Sequence, residues 1–370
     1  MSAVCHTCTS PASSRSAHVA APDWARTPYV ASTGPSTEVL LPEGRIKGAV
    51  HFIGGAFAGA SPALFYQQLL RHLRDAGYVV VTTPYALTFR HADCARALSD
   101  AFAAALADLD LPPGAPVFAL GHSGGSLLHL LIGAKDGLPP PFETDAPSAD
   151  EAPDAAPAAP PRPPAPAYRA SVLVSTNNFP VSEAIPIPGL LDNLPDAVKS
   201  LESSFGAMQT VDLVGLARQA ARASPLAAFG AAPPVDEGLL GDLEPAVNQV
   251  PSVLREVRDG LTDFFPTPAE SREIVRSSLQ ARKTLLVKFS DDNTDESEEM
   301  YDIIRASPSP NVELLRLSGT HVTPNAPSLW MPFGSAGPVA DEAARLAHML
   351  NTRDTSRLAG YVLDFFADNS

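Results

Sequence analysis

The residues with the clearest chemical potential lie in PVFALGHSGGSLLHLLIG, residues 116–133. An apolar run precedes Ser123 and a second one follows it. Gly121 and Gly125 stand two residues on either side of the serine, where a tight strand-to-helix turn leaves no room for side chains. Such a turn exposes the hydroxyl and aims the first amides of the next helix at it, which suits nucleophilic attack and stabilisation of an oxyanion. An ordinary glycine turn with the same string is the alternative.

A serine nucleophile needs a base and an acid. The hydroxyl attacks weakly until an imidazole removes its proton, and a carboxylate must fix the tautomer of that imidazole. His321 comes shortly after the predicted strand 312–317. Asp291 and Asp292 follow the predicted strand 284–289. All three side chains are expected at the carboxyl edge of a parallel sheet. Asp292 is the first choice for the acid, because it lies slightly further beyond its strand; Asp291 is the second and Asp295 a distant third.

An oxyanion formed at the serine needs two backbone amides. The amide of Gly124, at the start of the predicted helix, supplies the first. Gly55 and Ala56, in the loop after the predicted strand 47–53, are candidates for the second. Gly54 and Gly55 could equally serve only a close turn of the backbone. A phosphate-binding loop is disfavoured because no Lys-Ser/Thr pair follows these two glycines. Four further residues are expected to contact substrate: Phe57, His122, Asn177 and Asn178.

The segments around these residues alternate between two patterns. Mostly apolar runs of strand length occupy 47–53, 78–83, the run before Ser123, 170–175, 284–289 and 312–317. The run 78–83 is uniformly apolar, which suits a strand buried on both faces in the interior of a parallel sheet. Helical spacing of apolar residues predicts helices at 62–76, 92–108, 268–280, 298–306, 339–351 and 356–367. The alternation predicts an α/β fold with a mostly parallel, doubly wound sheet.

Breaks in this alternation predict the organisation of the chain. Residues 138–167 contain eleven prolines and no hydrophobic periodicity, which is typical of a disordered segment. Helical patterns alone fill most of the stretch between 178 and 284. The predicted parts are a disordered N-terminus or transit peptide at 1–38, a first core part at 39–137, a disordered Pro/Ala-rich insertion at 138–168, a core strand at 169–178, a helical cap at 179–283 and a second core part at 284–370.

Composition excludes several function classes. The formal net charge of −15 argues against nucleic acid and anionic membrane surfaces as partners. No apolar run reaches the ~20 residues that cross a bilayer. Cys5 and Cys8 have metal-site spacing but no second ligand pair follows, so we expect neither a metal nor another cofactor. Residues 1–22 contain serines, threonines and Arg15 but no acidic residue, a composition typical of organelle transit peptides and also of a plain disordered tail.

The motifs together resemble one family. They are VHFIGGAFAGASP at 50–62, TTPYALTF at 82–89, LGHSGGSLLHLLIG at 120–133, NNFPVSEAIP at 177–186, FSDDNTDES at 289–297 and GTHVTP at 319–324. The order Ser, Asp, His along the chain is that of α/β-hydrolases. The sequence is similar, outside the insertion, to the uncharacterised α/β-hydrolase-like family of plants, algae and cyanobacteria catalogued as domain of unknown function 1350. It departs from the family at Gly124, where a bulkier residue is common. The resemblance implies an α/β-hydrolase fold and a chloroplast location, and it implies no known substrate.

The predicted function is therefore hydrolysis of carboxylic ester or thioester bonds in a small acyl substrate. Ser123 is the nucleophile, His321 the base and Asp292 the acid. A dense apolar series between Ile185 and Met208 in the predicted cap favours acyl-lipid-like substrates, although helices of a cap need apolar cores in any case. A non-catalytic protein of the same fold that binds a ligand or partner under its cap is the alternative, and a scaffold acting through the Pro-rich insertion is a third hypothesis. The oligomeric state stays open.

Overall fold

The computed structural model describes residues 27–29, 37–56, 58–142, 167–179, 256, 261, 263–325 and 338–370. Elements are numbered below within these residues. The predicted transit peptide, Phe57, most of the predicted insertion and most of the predicted cap, including its apolar series, lie outside them. The chloroplast location, the substrate contact of Phe57 and the acyl-lipid preference therefore stay predictions.

A single sheet of eight strands forms the centre of the described structure. The strands are β1 Thr27–Tyr29, β2 Thr37–Leu40, β3 Gly48–Ile53, β4 Tyr78–Thr82, β5 Val117–His122, β6 Ala170–Val174, β7 Thr284–Asp291 and β8 Val312–Thr320. Their order is β1-β2-β4-β3-β5-β6-β7-β8. β2 pairs antiparallel with β1 and β4, and all other neighbours are parallel. The predicted mostly parallel sheet is confirmed.

Helices cover both faces of this sheet. They are α1 Pro62–Phe65, α2 Gln67–Asp75, α3 His91–Ala107, α4 Gly124–Gly133, α5 Pro268–Ser278, α6 Ser297–Arg305 and α7 Pro338–Asp368. On one face, α2 and α7 pack on strand residues in a cluster that includes Phe52, Phe118, Val172, Val287, Leu69, Leu73, Val362 and Phe366. On the other face, α3 to α6 pack in clusters that include Val81, Phe102, Leu128, Leu131, Leu130, Val275 and Ile303. The central strands are buried from both sides, which explains their uniformly apolar sequences.

The strand order, the antiparallel strand near one edge and the turn that follows β5 together define an α/β-hydrolase fold. β5 lies between β3 and β6, so the residues after it are at the middle of the sheet. The carboxyl ends of β6, β7 and β8 lie at the same edge. Residues that follow these strands can therefore meet above β5.

Two predicted boundaries differ near the chain ends. Residues 27–29 and 37–40 form β1 and β2, although both fall within or across the segment predicted as an N-terminal tail at 1–38. Strands of three and four residues are too short to show a period of their own. The two helices predicted at the C-terminus are one helix, α7. No glycine or proline lies between residues 351 and 356 to end it.

The predicted insertion, residues 138–168, is held against the core at both of its ends. The Phe142 amide donates a hydrogen bond of 3.1 Å to the Asp93 carboxylate. The Tyr168 hydroxyl lies 2.6 Å from Nδ1 of His51, which is on β3. Phe142 and Tyr168, which lie inside the bounds predicted for the insertion, therefore belong to the packed core.

The C-terminal part of the predicted cap, 179–283, belongs to the core layer. Thr267 and Glu270 form the predicted capping box, with each side chain accepting from the backbone amide of the other, and this confirms the start of α5. Val275 of α5 packs in one cluster with Leu130 of α4. The described structure contains no helix that is long and apolar enough to cross a membrane.

Candidate active site

Ser123 occupies a strained turn between β5 and α4. Its φ of 56° and ψ of −125° put a non-glycine residue at positive φ, which costs about 1–3 kcal/mol and is found mainly at functional sites. A Cβ on Gly121 would lie 2.7 Å from Cα of Ser126, and one on Gly125 would meet the carbonyl oxygens of Ile53 and Gly54. The two flanking glycines are therefore required sterically, as the sequence pattern predicts.

Two hydrogen bonds to β6 anchor the turn at Ser123. The Ser123 amide donates to the Val174 carbonyl of β6 at 2.9 Å. The Ser126 hydroxyl donates to the same carbonyl at 3.0 Å. Both bonds hold the start of α4 over the end of β6 and thereby fix the position of Ser123.

Ser123, His321 and Asp292 form a continuous series of hydrogen bonds. His321 is the first residue after β8, and its Nε2 lies 3.0 Å from Ser123 Oγ. Its Nδ1 lies 2.8 Å from Oδ2 of Asp292. The His321 side chain is 30% exposed, whereas that of Asp292 is fully buried. A buried acid, a half-buried base and a strained serine are thus arranged in line, which is the geometry of serine nucleophile activation.

The second oxygen of Asp292 is held by the residue two positions further on. Oδ1 accepts from the Thr294 amide at 3.0 Å and from the Thr294 hydroxyl at 2.9 Å. Burial on its own raises the pKa of Asp292, but the hydrogen bond and charge of His321 and the Thr294 amide outweigh it and hold the pKa well below its usual range. The carboxylate is therefore ionised at neutral pH. Asp291 ends β7, is exposed and accepts from the Ser290 hydroxyl at 3.0 Å, so the structure brings Asp292 rather than Asp291 to His321.

The two candidate oxyanion amides of the β3 loop are used differently. The Gly55 amide donates to the Tyr66 hydroxyl at 2.7 Å and is already satisfied inside the protein. The Ala56 nitrogen lies 4.0 Å from the position that a Cβ on Gly124 would take. Ala56 and Gly124 therefore lie side by side next to Ser123, and Ala56 is the better placed of the two loop residues to act with Gly124.

His122 does not face an open site. It is 3% exposed, with Nδ1 2.8 Å from the Tyr66 hydroxyl and Nε2 2.9 Å from the His321 carbonyl oxygen. Burial, followed by the nearby His321 ring, lowers the pKa of His122 to about 3. The ring is neutral and uses both nitrogens within the protein. Neither nitrogen is therefore free for the substrate contact that the sequence predicts for His122.

Asn177 and Asn178 also make contacts within the protein. The Asn178 amide donates to the Glu296 carboxylate at 2.5 Å, and its side chain donates to the Pro268 carbonyl at 3.0 Å. The Asn177 side chain donates to the Thr294 carbonyl at 3.3 Å. These residues fasten the loop after β6 to the loop that carries Asp292, and their contact with substrate stays a prediction.

Comparison with known proteins identifies the family. Residues 36–137 and 166–364 match the family described as "Protein of unknown function (DUF1350)". The chain belongs to this family. The expected resemblance is thereby confirmed, and the break in the match falls on the Pro-rich segment of this DUF1350 protein. A search of curated proteins gave no match.

Solved structures of hydrolases are also similar to this DUF1350 protein at low identity. A carboxylesterase of Nitrososphaera gargenis has 11% identity and a TM-score of 0.43, covering 92% of this chain and 98% of that one. A hydrolase from Oleispira antarctica has 13% identity and a TM-score of 0.41, covering 78% and 88%. A monoacylglycerol lipase of Paleococcus ferrophilus has 12% identity and a TM-score of 0.39, covering 86% and 98%. With TM-scores this low, these similarities carry no conclusion about the DUF1350 chain.

Sequence reasoning missed Tyr66 and Thr294. Thr294 had a usable signal, because an aspartate side chain commonly accepts a hydrogen bond from the backbone amide two residues further on. Tyr66 had none: it lies at the break between α1 and α2, within what the sequence predicts as one helix. The described residues contain no group of three or more His, Cys, Asp or Glu side chains that could hold a metal ion.

Proposed function

We propose that this DUF1350 protein is a serine hydrolase of carboxylic ester or thioester bonds that works through an acyl-enzyme. One observation supports this above the others, namely the series of hydrogen bonds from Ser123 through His321 to Asp292, at 3.0 and 2.8 Å. The positive φ of Ser123 adds weight, because a structure maintains such strain only where the surroundings enforce it.

In the acylation half-reaction, His321 Nε2 takes the proton of Ser123 while Oγ attacks the substrate carbonyl carbon. The negative charge on the former carbonyl oxygen is stabilised by the amides of Gly124 and Ala56. Asp292 holds the Nδ1 proton and stabilises the positive imidazolium. When the tetrahedral intermediate collapses, the imidazolium proton passes to the departing alcohol or thiol, and the acyl group stays on Ser123.

In the deacylation half-reaction, a water molecule takes the place of the leaving group. His321 removes one proton from the water, and the resulting hydroxide attacks the acyl carbon. The second tetrahedral intermediate collapses, the Ser123 oxygen recovers a proton from His321, and a carboxylic acid is released. Each step uses only Ser123, His321, Asp292 and the two amides.

Labelling with a fluorophosphonate probe tests this proposal. The probe reacts with an activated serine, so wild-type protein should gain one covalent adduct, mapped by peptide mass spectrometry to Ser123. Ser123→Ala should abolish both the adduct and the hydrolysis of p-nitrophenyl acetate with little change in melting temperature. Ser290→Ala, which removes an exposed serine near the same sheet edge, is the matched control and should label like the wild type.

The same experiment distinguishes the alternative function. A folded wild-type protein that neither labels at Ser123 nor hydrolyses p-nitrophenyl acetate and thioacetate would contradict the hydrolase. That result would instead favour a ligand-binding protein of the α/β-hydrolase fold.

A further inference from the structure

Four groups form a second series of hydrogen bonds beside the one that links Ser123, His321 and Asp292. The Gly55 amide donates to the Tyr66 hydroxyl at 2.7 Å. The Tyr66 hydroxyl lies 2.8 Å from Nδ1 of His122, and Nε2 of His122 lies 2.9 Å from the His321 carbonyl oxygen. Tyr66 is fully buried and His122 nearly so. The two side chains at the centre of the series therefore lie away from solvent, where their hydrogen bonds are costly to break.

The two ends of the series determine the direction of every bond. A backbone amide can only donate and a carbonyl oxygen can only accept. His122 must therefore carry its proton on Nε2 to reach the His321 carbonyl, which leaves Nδ1 as an acceptor. Tyr66 must then donate to Nδ1 and accept from Gly55. No member can be reversed or protonated without leaving a buried group unpaired.

The series joins the three separate parts of the proposed machinery. Gly55 precedes Ala56, the proposed oxyanion donor. His122 precedes Ser123, the proposed nucleophile. The third part is the backbone of His321, the proposed base. A single side-chain path therefore connects the loop after β3, the end of β5 and the loop after β8, which are far apart in sequence.

The middle of the path is itself rigid. The Tyr66 ring lies 4.8 Å from the Phe52 ring, and a Cβ on Gly54 would come within 2.7 Å of Tyr66. A Cβ on Gly55 would lie 3.0 Å from Cβ of Ser123 and 3.3 Å from Nδ1 of His122. Because these atoms are closely packed, the loop after β3 and the turn at Ser123 cannot shift independently of each other.

We infer that Tyr66 and His122 are positioning residues of the proposed hydrolase. They hold the His321 backbone and the loop that contains Ala56 at fixed positions relative to Ser123. The inference rests on the proposed function. Both side chains act through other residues, and neither touches the substrate. Their loss should therefore lower the rate of serine attack while leaving substrate binding nearly unchanged.

Tyr66→Phe is the sharpest variant, because it removes one oxygen atom and keeps the ring. It leaves the Gly55 amide and Nδ1 of His122 unpaired. The second-order rate constant of fluorophosphonate labelling should fall roughly 10- to 100-fold, the loss expected from misplacing reacting groups by up to about 1 Å. With p-nitrophenyl acetate the loss should be in kcat, with KM within about 2-fold. Tyr78→Phe is the matched control. Tyr78 is a buried tyrosine at the start of β4, at the end of the strands opposite to Ser123.

Two substitutions of His122 separate its two contacts. Glutamine can place an amide N–H near the original Nε2 and keep the bond to the His321 carbonyl. Asparagine reaches only the Nδ1 position and loses that bond. We expect His122→Gln to label about 10-fold or more faster than His122→Asn, at similar melting temperatures. His129→Gln is the control, since His129 is also buried with Nε2 3.2 Å from a backbone carbonyl.

Histidine-selective 15N NMR gives a readout that does not need activity. In wild-type protein His122 should be the Nε2–H tautomer, and the Nδ1–H proton of His321 should be visible through its bond to Asp292. His122→Asn and Tyr66→Phe should broaden or shift that proton, whereas His129→Gln should not.

The outcomes are distinguishable. Absence of labelling in the wild type would count against the proposed function, and the NMR comparison would still test the positioning role. Wild-type labelling with unchanged rates in Tyr66→Phe and His122→Asn would overturn the inference and leave the hydrolase standing. The inference would also be overturned if the labelling rate constants of the variants fell only as far as their melting temperatures did. An Nδ1–H signal of His321 that is unchanged in both variants would overturn it as well.

Discussion

Replacing Asp292 by asparagine keeps the size of the side chain and reverses its hydrogen bond to His321. Oδ1 accepts from the amide and the hydroxyl of Thr294, at 3.0 and 2.9 Å, so the asparagine is held with its carbonyl oxygen at that position. The amide NH2 then faces Nδ1 of His321, at the place of the carboxylate oxygen that is 2.8 Å away. Two N–H groups repel each other, so His321 is driven to carry its proton on Nε2.

The tautomer decides the size of the effect. With a proton on Nε2, His321 cannot accept the proton of Ser123 across the 3.0 Å contact. A base held in the wrong tautomer loses about 10⁴-fold in rate, equivalent to about 5 kcal/mol of transition-state stabilisation. Stability should change less, by about 1–2 kcal/mol, because both bonds from Thr294 persist and the charge-assisted bond to His321 is replaced by a weaker neutral one.

The assay is the second-order rate constant of fluorophosphonate labelling, measured with excess probe and at the same pH for every variant. Asp291→Asn is the matched control, because Asp291 is exposed and its carboxylate accepts a hydrogen bond from Ser290 and not from His321. We expect the control within about 2-fold of the wild type, as is usual for an exposed side chain with no partner in the reaction. In Asp292→Asn, 15N NMR of His321 should show the Nε2–H tautomer. Labelling of Asp292→Asn within about 10-fold of the wild type would refute the reasoning, since that loss is worth only about 1.4 kcal/mol.

Three further predictions concern stability and substrate. Burial lowers the pKa of His51, His122 and His129, so below about pH 6.5 the unfolded chain binds protons that the folded chain does not, and stability should fall as pH falls. From about pH 7 to about pH 5 the loss is roughly 2 kcal/mol for each of His122 and His129, measurable by urea unfolding, and an unchanged urea midpoint would contradict it. Replacing 143–166 by a short flexible linker should leave the melting temperature and fluorophosphonate labelling unchanged, whereas a large drop in either would show that the segment packs. On p-nitrophenyl esters, kcat/KM should rise from acetate to octanoate if the apolar series at 185–208 faces Ser123, and a flat profile would remove the lipid-like substrate but not the hydrolase.

The sequence alone determined the parts that depend on neighbouring residues. The glycines around Ser123 encode the strained turn, because steric exclusion there acts over two residues on each side. Buried parallel strands must be apolar on both faces, so the alternation of apolar runs and helical patterns predicts the sheet. The order of Ser123, Asp292 and His321 along the chain then follows from the strands that precede them.

Only the tertiary structure decided between groups that are adjacent in sequence. Asp291 and Asp292 have the same chemistry, and the direction of each side chain depends on where β7 ends and on its irregular register with β8. Gly55 and Ala56 differ because Tyr66, eleven residues further on, takes one amide and not the other. The hydrogen bond between His122 and the His321 carbonyl joins the end of β5 to the loop after β8, 199 residues further along the chain. Such contacts depend on how separate elements pack, and a pattern confined to neighbouring residues does not encode them.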